Sequence, residues 1–372
     1  MGLDGVDGFI FNETMKILVI CLQRIGDVLL TTPLIRSIKS AYPHATVDAL
    51  VCNDTMQVLE GNADINAVIV THRHSKKIQR LKELFNLWNT YDISVSTIPS
   101  DRARLYGWAA STRHFGTYLE KDSFLAKKLM LSRVLFDNIN THTVAMNLKI
   151  CDLMGIPKIQ TVVAPTVLQT EILMSLKAPY VVVHPYPKFV YKSWKSNEWK
   201  KLLAQLIQKG LHVYISGSND PQEFKYCQDL VISDNVTNIS GKYSLAELSV
   251  IVSNASLFIG VDTSVTHIAA ATGVKVIAIY GPTNPVKWGP WPVETNYSDK
   301  AIWLGHAKAP QVHQKITLIQ GSQSCIPCAQ EGCHRHINSE SECLTTLTSE
   351  KVEKEVDRVL VSSEFSNSLE QH

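Results

Sequence analysis

The chain has 372 residues, 45% of them hydrophobic and 19% charged, which is ordinary globular usage and long enough for two α/β domains with proper cores. Its 36 basic and 34 acidic residues leave a net charge of +2, which argues against wholesale nucleic-acid binding driven by counterion release. No apolar run reaches the roughly 18 residues of a bilayer span, and the opening MGLDGVDGFIFNET lacks the basic and apolar regions of a secretory signal.

Residues 1–14 read as an extension, and a first domain is expected over 15–168. Its strands are expected at Lys16–Leu22, Thr46–Val51, Ala67–Val70 and Tyr91–Thr97, with helical spacing between them, as at Leu34, Ile35, Ile38 and Ala41. Thr32–Pro33 reads as an N-cap followed by proline at the first helical position. The hinge is expected around Val163–Ala178, and a second domain over 176–350. There the strands are Tyr180–His184, Leu211–Ser216, Ser256–Gly260 and Lys275–Tyr280. Helices are expected over Asn197–Lys209, from Asp220–Pro221, and from Ser244, where Ser244-Leu-Ala-Glu247 has capping-box spacing. Residues 350–372 read as a helix to about Val361 and a polar tail. Alternating strands and helices imply parallel sheets, so the fold class is α/β with two Rossmann-like, doubly wound domains.

Chemistry concentrates at three turns. LQRIGDVLLTTP, from Leu22, follows an apolar strand but lacks the glycines of a dinucleotide-binding turn and carries Arg24 and Asp27 instead. A nicotinamide-dependent dehydrogenase would need that glycine pattern, and VDTSVTH lacks it too. In the stretch from Leu257 to Trp291, a strand ends at Gly260, and Asp262, Thr263 and Ser264 stand where a small-residue helix carrying His267 begins. Unpaired first-turn amides and the helix dipole suit a diphosphate there, with hydroxyl help from Thr263 and Ser264; the plainer reading is a cap and an interior histidine. The proline-stiffened YGPTNPVKWGPW that follows brings Thr283, Asn284 and Lys287 to the same strand ends. In HPYPKFVYKSWKSNEWKKLL, Lys192 lies in a loop after a strand, placed to meet phosphate oxygens, and Ser196 is expected to cap the helix carrying Trp199.

Cys21, Cys52, Cys151 and Cys227 are scattered, as reduced buried thiols of a cytoplasmic protein would be. Cys325, Cys328, Cys333 and Cys343 are crowded, with His334 and His336 nearby. That density suits a structural zinc, and equally a set of reduced loop thiols.

Taken together, RIGDVLLTTPLIRSIKSAYP, YKSWKSNEW, SGKYSLAELSVIVSNASLFIG and IGVDTSVTHIAAATGVKVIAIYGPTNP resemble glycosyltransferase family 9, the ADP-heptose:lipopolysaccharide heptosyltransferases of Gram-negative bacteria, over residues 15–350. The cysteine run is similar to that of the heptosyltransferase II branch. The resemblance implies a GT-B architecture, two Rossmann-like domains facing across a cleft, acceptor on the first and sugar nucleotide on the second. It implies an inverting transfer of L-glycero-D-manno-heptose from ADP-heptose to the lipid A–Kdo/heptose core, with no cofactor required and Asp27 as general base. Lys192, Asp262, Thr263, Ser264 and His267 would then hold the donor diphosphate and sugar, Glu223 and Thr283 the nucleotide, and Arg24 an acceptor phosphate. Ser264 stands where the family usually has glycine, and PYPKFVY before Lys192 also departs from its pattern. Another nucleotide sugar on the same fold is the alternative. Because the implied acceptor is a lipid, peripheral contact with the cytoplasmic face of the inner membrane is expected through the basic runs THRHSKKIQRLK and LEKDSFLAKKLMLSR.

Overall fold

The computed structural model describes residues 15–137, 139–168, 171–293 and 301–369. The expected extension 1–14, residues 169–170 of the expected hinge, and residues 370–372 lie outside the described residues.

The first half forms a parallel sheet from β1 (Lys16–Cys21), β2 (Thr46–Cys52), β3 (Ala67–Thr71), β4 (Ile93–Ser96), β5 (His114–Tyr118) and β6 (Ser132–Leu135), in the order β3-β2-β1-β4-β5-β6. β1 is covered on both faces, which is why it reads as the unbroken apolar run KILVIC rather than as an alternating strand. Helices α1 (Ile25–Leu29), α2 (Thr32–Ala41) and α6 (Thr143–Met154) cover one face. α3 (Lys77–Leu87) and α4 (Asp101–Ala110) cover the other, and α5 (Phe124–Lys128) links β5 to β6.

The second half repeats the plan with β7 (Tyr180–His184), β8 (His212–Ile215), β9 (Val236–Asn238), β10 (Leu257–Val261), β11 (Val276–Tyr280), β12 (Gln311–His313) and β13 (Ile316–Gln320). Counted from β7, the order is again 3-2-1-4-5-6, with β12 added antiparallel at the edge. Its helices are α7 (Glu171–Met174), α8 (Ser196–Gln208), α9 (Pro221–Asp229), α10 (Leu245–Ser253), α11 (Ser264–Thr272), α12 (Pro285–Trp288), α13 (Glu342–Thr345) and α14 (Ser349–Leu369). In both sheets the strand order reverses between the first and fourth strands, and doubly wound sheets bind ligands in the crevice above that point. α1 leaves the first crevice. The loops after β7 and β10 line the second.

Several local expectations change. Thr32 is not the cap of α2: Thr31 holds that position, and the Thr32 hydroxyl donates to the Leu29 carbonyl at 2.7 Å. Ser196 is the first residue of α8 rather than its cap, a position taken by Lys195. α14 continues to Leu369, past the expected end near Val361. Ser244 and Glu247 do form a reciprocal capping box, and Asp220 caps α9 through its side chain.

The halves touch in several places. α1 packs on α11, and the turn Met56–Leu59 packs on α10. Beyond α12, Trp291 donates its indole N–H to the Gln160 carbonyl at 2.8 Å, and His142 Nε2 donates to the Gly289 carbonyl at 2.8 Å. Trp291 and Ile268 are thereby built into the first domain's apolar core.

Candidate active site

The second crevice is organised around Asp262. β10 delivers it buried at the strand end, where Lys192 Nζ lies 2.6 Å from its Oδ2. Burial alone would raise this carboxyl; Lys192 and the Thr283 hydroxyl outweigh burial and hold it below its ordinary value, so it stays ionised. Lys192 is set by the single turn Val190–Lys192. Just beyond, Trp194 is fully buried, packs edge-on against Trp199 of α8 and donates to the Leu347 carbonyl at 2.7 Å. The tryptophan pins the loop, and the carboxylate aims the ammonium.

Thr263 occupies the N-cap of α11 without a side-chain capping bond. Its hydroxyl lies 3.5 Å from that of Thr266, which in turn donates to the Val261 carbonyl at 2.5 Å. The first-turn amides of α11, beginning at Ser264, thus have no side-chain cap. His267 lies one turn in, and its Nδ1 has no hydrogen-bond partner among the described residues. Burial pushes its pKa down to about 4, with Asp262 opposing and Lys192 assisting, so the ring is neutral at pH 7. Tyr280, at the end of β11, is buried beside Asp262 and donates to the Trp288 carbonyl at 2.8 Å.

Across the crevice stands Asp27, not in an open turn but at the third position of α1. Its Oδ2 accepts the Arg24 amide at 3.1 Å, one arm of a capping box. Asp27 thus caps α1. Burial raises the carboxyl, opposed by the Arg24 amide and by the charges of Arg24, Lys287 and Arg73, which yields a carboxylate more basic than an exposed one. The gap between the two sides is closed at its floor: a Cβ on Gly26 would lie 3.9 Å from His267 Cδ2. Lys287 of α12, whose pKa burial lowers, faces Asp27 and Asp137.

Arg24 extends across the crevice, its guanidinium 5.1 Å above the Phe189 ring, which stacks on Tyr191. Glu223 sits in the first turn of α9, after β8, where the Ser218 hydroxyl donates to it. Long-range partners escaped the sequence reading. Phe189 and Tyr280 carry no motif signal. Arg73 donates to the Gln23 carbonyl and pairs with Asp54 at 2.7 Å, beside a cavity of about 750 Å³ lined also by His72, His74 and Lys76. Only the basic run gave a hint of it.

Among the four clustered cysteines, burial first, and then the charges of Cys328, Cys333 and Cys325, push Cys343 up to about 12. Among the described residues, no group of three Cys, His, Asp or Glu side chains converges so as to hold a metal ion.

Two doubly wound sheets facing across a crevice, with an aimed lysine and an uncapped helix on one side and a buried carboxylate on the other, define a GT-B glycosyltransferase. The chain matches the model for glycosyltransferase family 9 (heptosyltransferase) over residues 121–319, more than half its length, and belongs to that family. Lipopolysaccharide heptosyltransferase 3 of Escherichia coli is 28% identical over 322 residues, covering 78% of this chain and 88% of the relative. A glycosyl transferase family 9 structure from Veillonella parvula superposes with TM-score 0.73 at 19% identity, covering 94% and 97% of the two chains. The ADP-heptose lps heptosyltransferase II of E. coli gives TM-score 0.72 at 18% identity over 94% and 100%.

Proposed function

We propose that this enzyme moves L-glycero-D-manno-heptose from ADP-heptose onto the lipopolysaccharide inner core, with inversion and with Asp27 as general base. The observation that carries the reading is that α1, which holds Asp27, packs on α11 through Gly26 and His267, while the Lys192–Asp262 pair lies at the strand end that leads into α11. The acceptor hydroxyl gives its proton to the Asp27 carboxylate as its oxygen bonds the anomeric carbon. The bond from that carbon to the diphosphate breaks, and its electron pair leaves on the diphosphate oxygen. Lys192 and the α11 amides meet the new charge with donors already in position. The printed names of the relatives, a lipopolysaccharide heptosyltransferase and an ADP-heptose heptosyltransferase, support the donor and the acceptor. Glu223 and Thr283 are assigned to the nucleotide, and Arg24 and Arg73 to acceptor anions.

Since the acceptor is lipid-linked, the enzyme works at the cytoplasmic face of the inner membrane by peripheral contact. Among the described residues no helix is long and apolar enough to cross a membrane. The test is incubation with ADP-heptose and defined truncated core acceptors, read by mass spectrometry. A gain of one heptosyl unit with release of ADP supports the proposal; transfer from an ADP- or UDP-hexose with none from ADP-heptose overturns it. That second outcome is the same-fold alternative, a transferase that uses another nucleotide sugar.

A further inference from the structure

α3 is amphipathic in an unusual sense. Its inward side is narrow, with Leu87 buried and Leu84 half-buried against the sheet, and Glu83 turned in to accept from the Thr71 hydroxyl at 2.9 Å and from Tyr106. Its outward side carries Ile78, Leu81, Phe85 and Trp88, exposed at 71%, 65%, 82% and 58%. At about 100° per residue these four fall within an arc of roughly 80°, one continuous stripe. α4 extends it sideways: exposed Leu105 and Trp108 share a face, and the Trp108 ring meets Trp88 edge-on at 5.1 Å. A patch of six large apolar side chains in the open is not left so by a soluble fold without a use.

Charge identifies what covers it. Lys76, Lys77, Arg80 and Lys82 are all exposed, and Lys77 and Lys82 border the apolar stripe on its two sides. The single acidic residue between 76 and 89, Glu83, is the one turned inward. Aliphatic and aromatic residues flanked by lysines long enough to reach outward, with tryptophans at the edge, match an anionic lipid surface. We infer that the outer face of α3 and α4 seats the enzyme on anionic lipid, apolar stripe inserted and lysines at the headgroups. The inference rests on the proposal that the acceptor is lipid-linked, and it names the surface that reaches it.

The experiment is flotation of the full chain with vesicles, without donor or acceptor, so its result is independent of whether heptose is transferred. Vesicles of phosphatidylethanolamine with phosphatidylglycerol should carry the protein up at low salt, and phosphatidylcholine vesicles should not. Leu81→Gln with Phe85→Gln should abolish flotation; both sites are exposed, so the melting temperature and transfer to a delipidated acceptor should be unchanged. Ile78→Gln with Trp88→Gln serves as a second pair with the same expectation. Lys77→Gln with Lys82→Gln should weaken binding about thirty-fold. Flotation that survives both apolar pairs overturns the inference, as does failure of the wild type to float. A dimer in solution that those pairs dissolve, with no flotation, would assign the face to a second copy instead.

Discussion

Gly26 of α1 lies against His267 of α11, near enough that a single methyl group would touch the imidazole. This contact packs α1, which carries Asp27 as the next residue, against α11. Replacing Asp27 by Asn keeps an oxygen for the Arg24 amide but removes the base. Turnover should fall by about 10²–10⁴-fold, while the melting temperature and its rise with ADP stay close to wild type. Asp27→Ala should lose the cap as well, costing about 1 kcal/mol. Full turnover in Asp27→Asn would disprove the role.

The acid limb of the rate profile should report Asp27. The active form is the carboxylate and burial raises its pKa, so activity is present above that pKa and lost as pH falls through it, at a pH above the ordinary value of 3.8. Lys287 lowers this pKa, so Lys287→Gln should move the limb upward. A limb left in place would show that another group titrates.

Lys192 and Asp262 form a partly buried pair, and truncating one partner leaves a charge without its counterion. Lys192→Met should therefore destabilise by about 3–5 kcal/mol as well as raise KM for the donor. Adding Asp262→Asn should restore most of the stability and none of the donor affinity. Chemical denaturation and donor titration read the two effects separately.

Buried histidines make stability depend on pH. His142 is pushed down to about 3, and His114, His184 and His267 to about 4, all by burial, against an unfolded value of 6.5. The unfolded chain takes up protons first as pH falls. Stability present above about 6.5 is therefore lost progressively toward pH 4, each histidine contributing a slope of about 1.4 kcal/mol per pH unit. Denaturation of His184→Gln across this range should show a slope shallower by one proton.

Cys325 and Cys333 are exposed and Cys343 is buried. Alkylation at pH 8 should label the first two and spare the third, read by peptide mass spectrometry. Labelling of the exposed pair that requires a chelator would show that the thiols hold a metal in solution.

Much of the fold was legible because central strands announce themselves: KILVIC and YVVVH are buried on both faces and carry nothing polar before the final residue except the lysine and tyrosine that open them. β5 and β6 were not, since HFGTY and SRVL are neither apolar runs nor clean alternations, and β6 is half exposed. Of the site, Lys192, Asp262 and the start of α11 could be read from motif order along the chain. The Arg24–Phe189 contact, the pull of Lys287 on Asp27 and the Arg73 bond to Gln23 join residues 50 to more than 100 positions apart, and no local periodicity encodes them. The basic run over residues 71–82 reads as a lipid-facing surface; apolar spacing alone would promise burial for α3, and most of its stripe points out.

Because Ile268 and Trp291 plug the first domain's interior, the two halves are not interchangeable modules. Splitting the gene between them would leave the amino-terminal fragment with a hydrophobic hole and the carboxy-terminal fragment with a sticky protrusion. Swapping in a donor-binding half from a relative would succeed only if the replacement brought its own matching stopper.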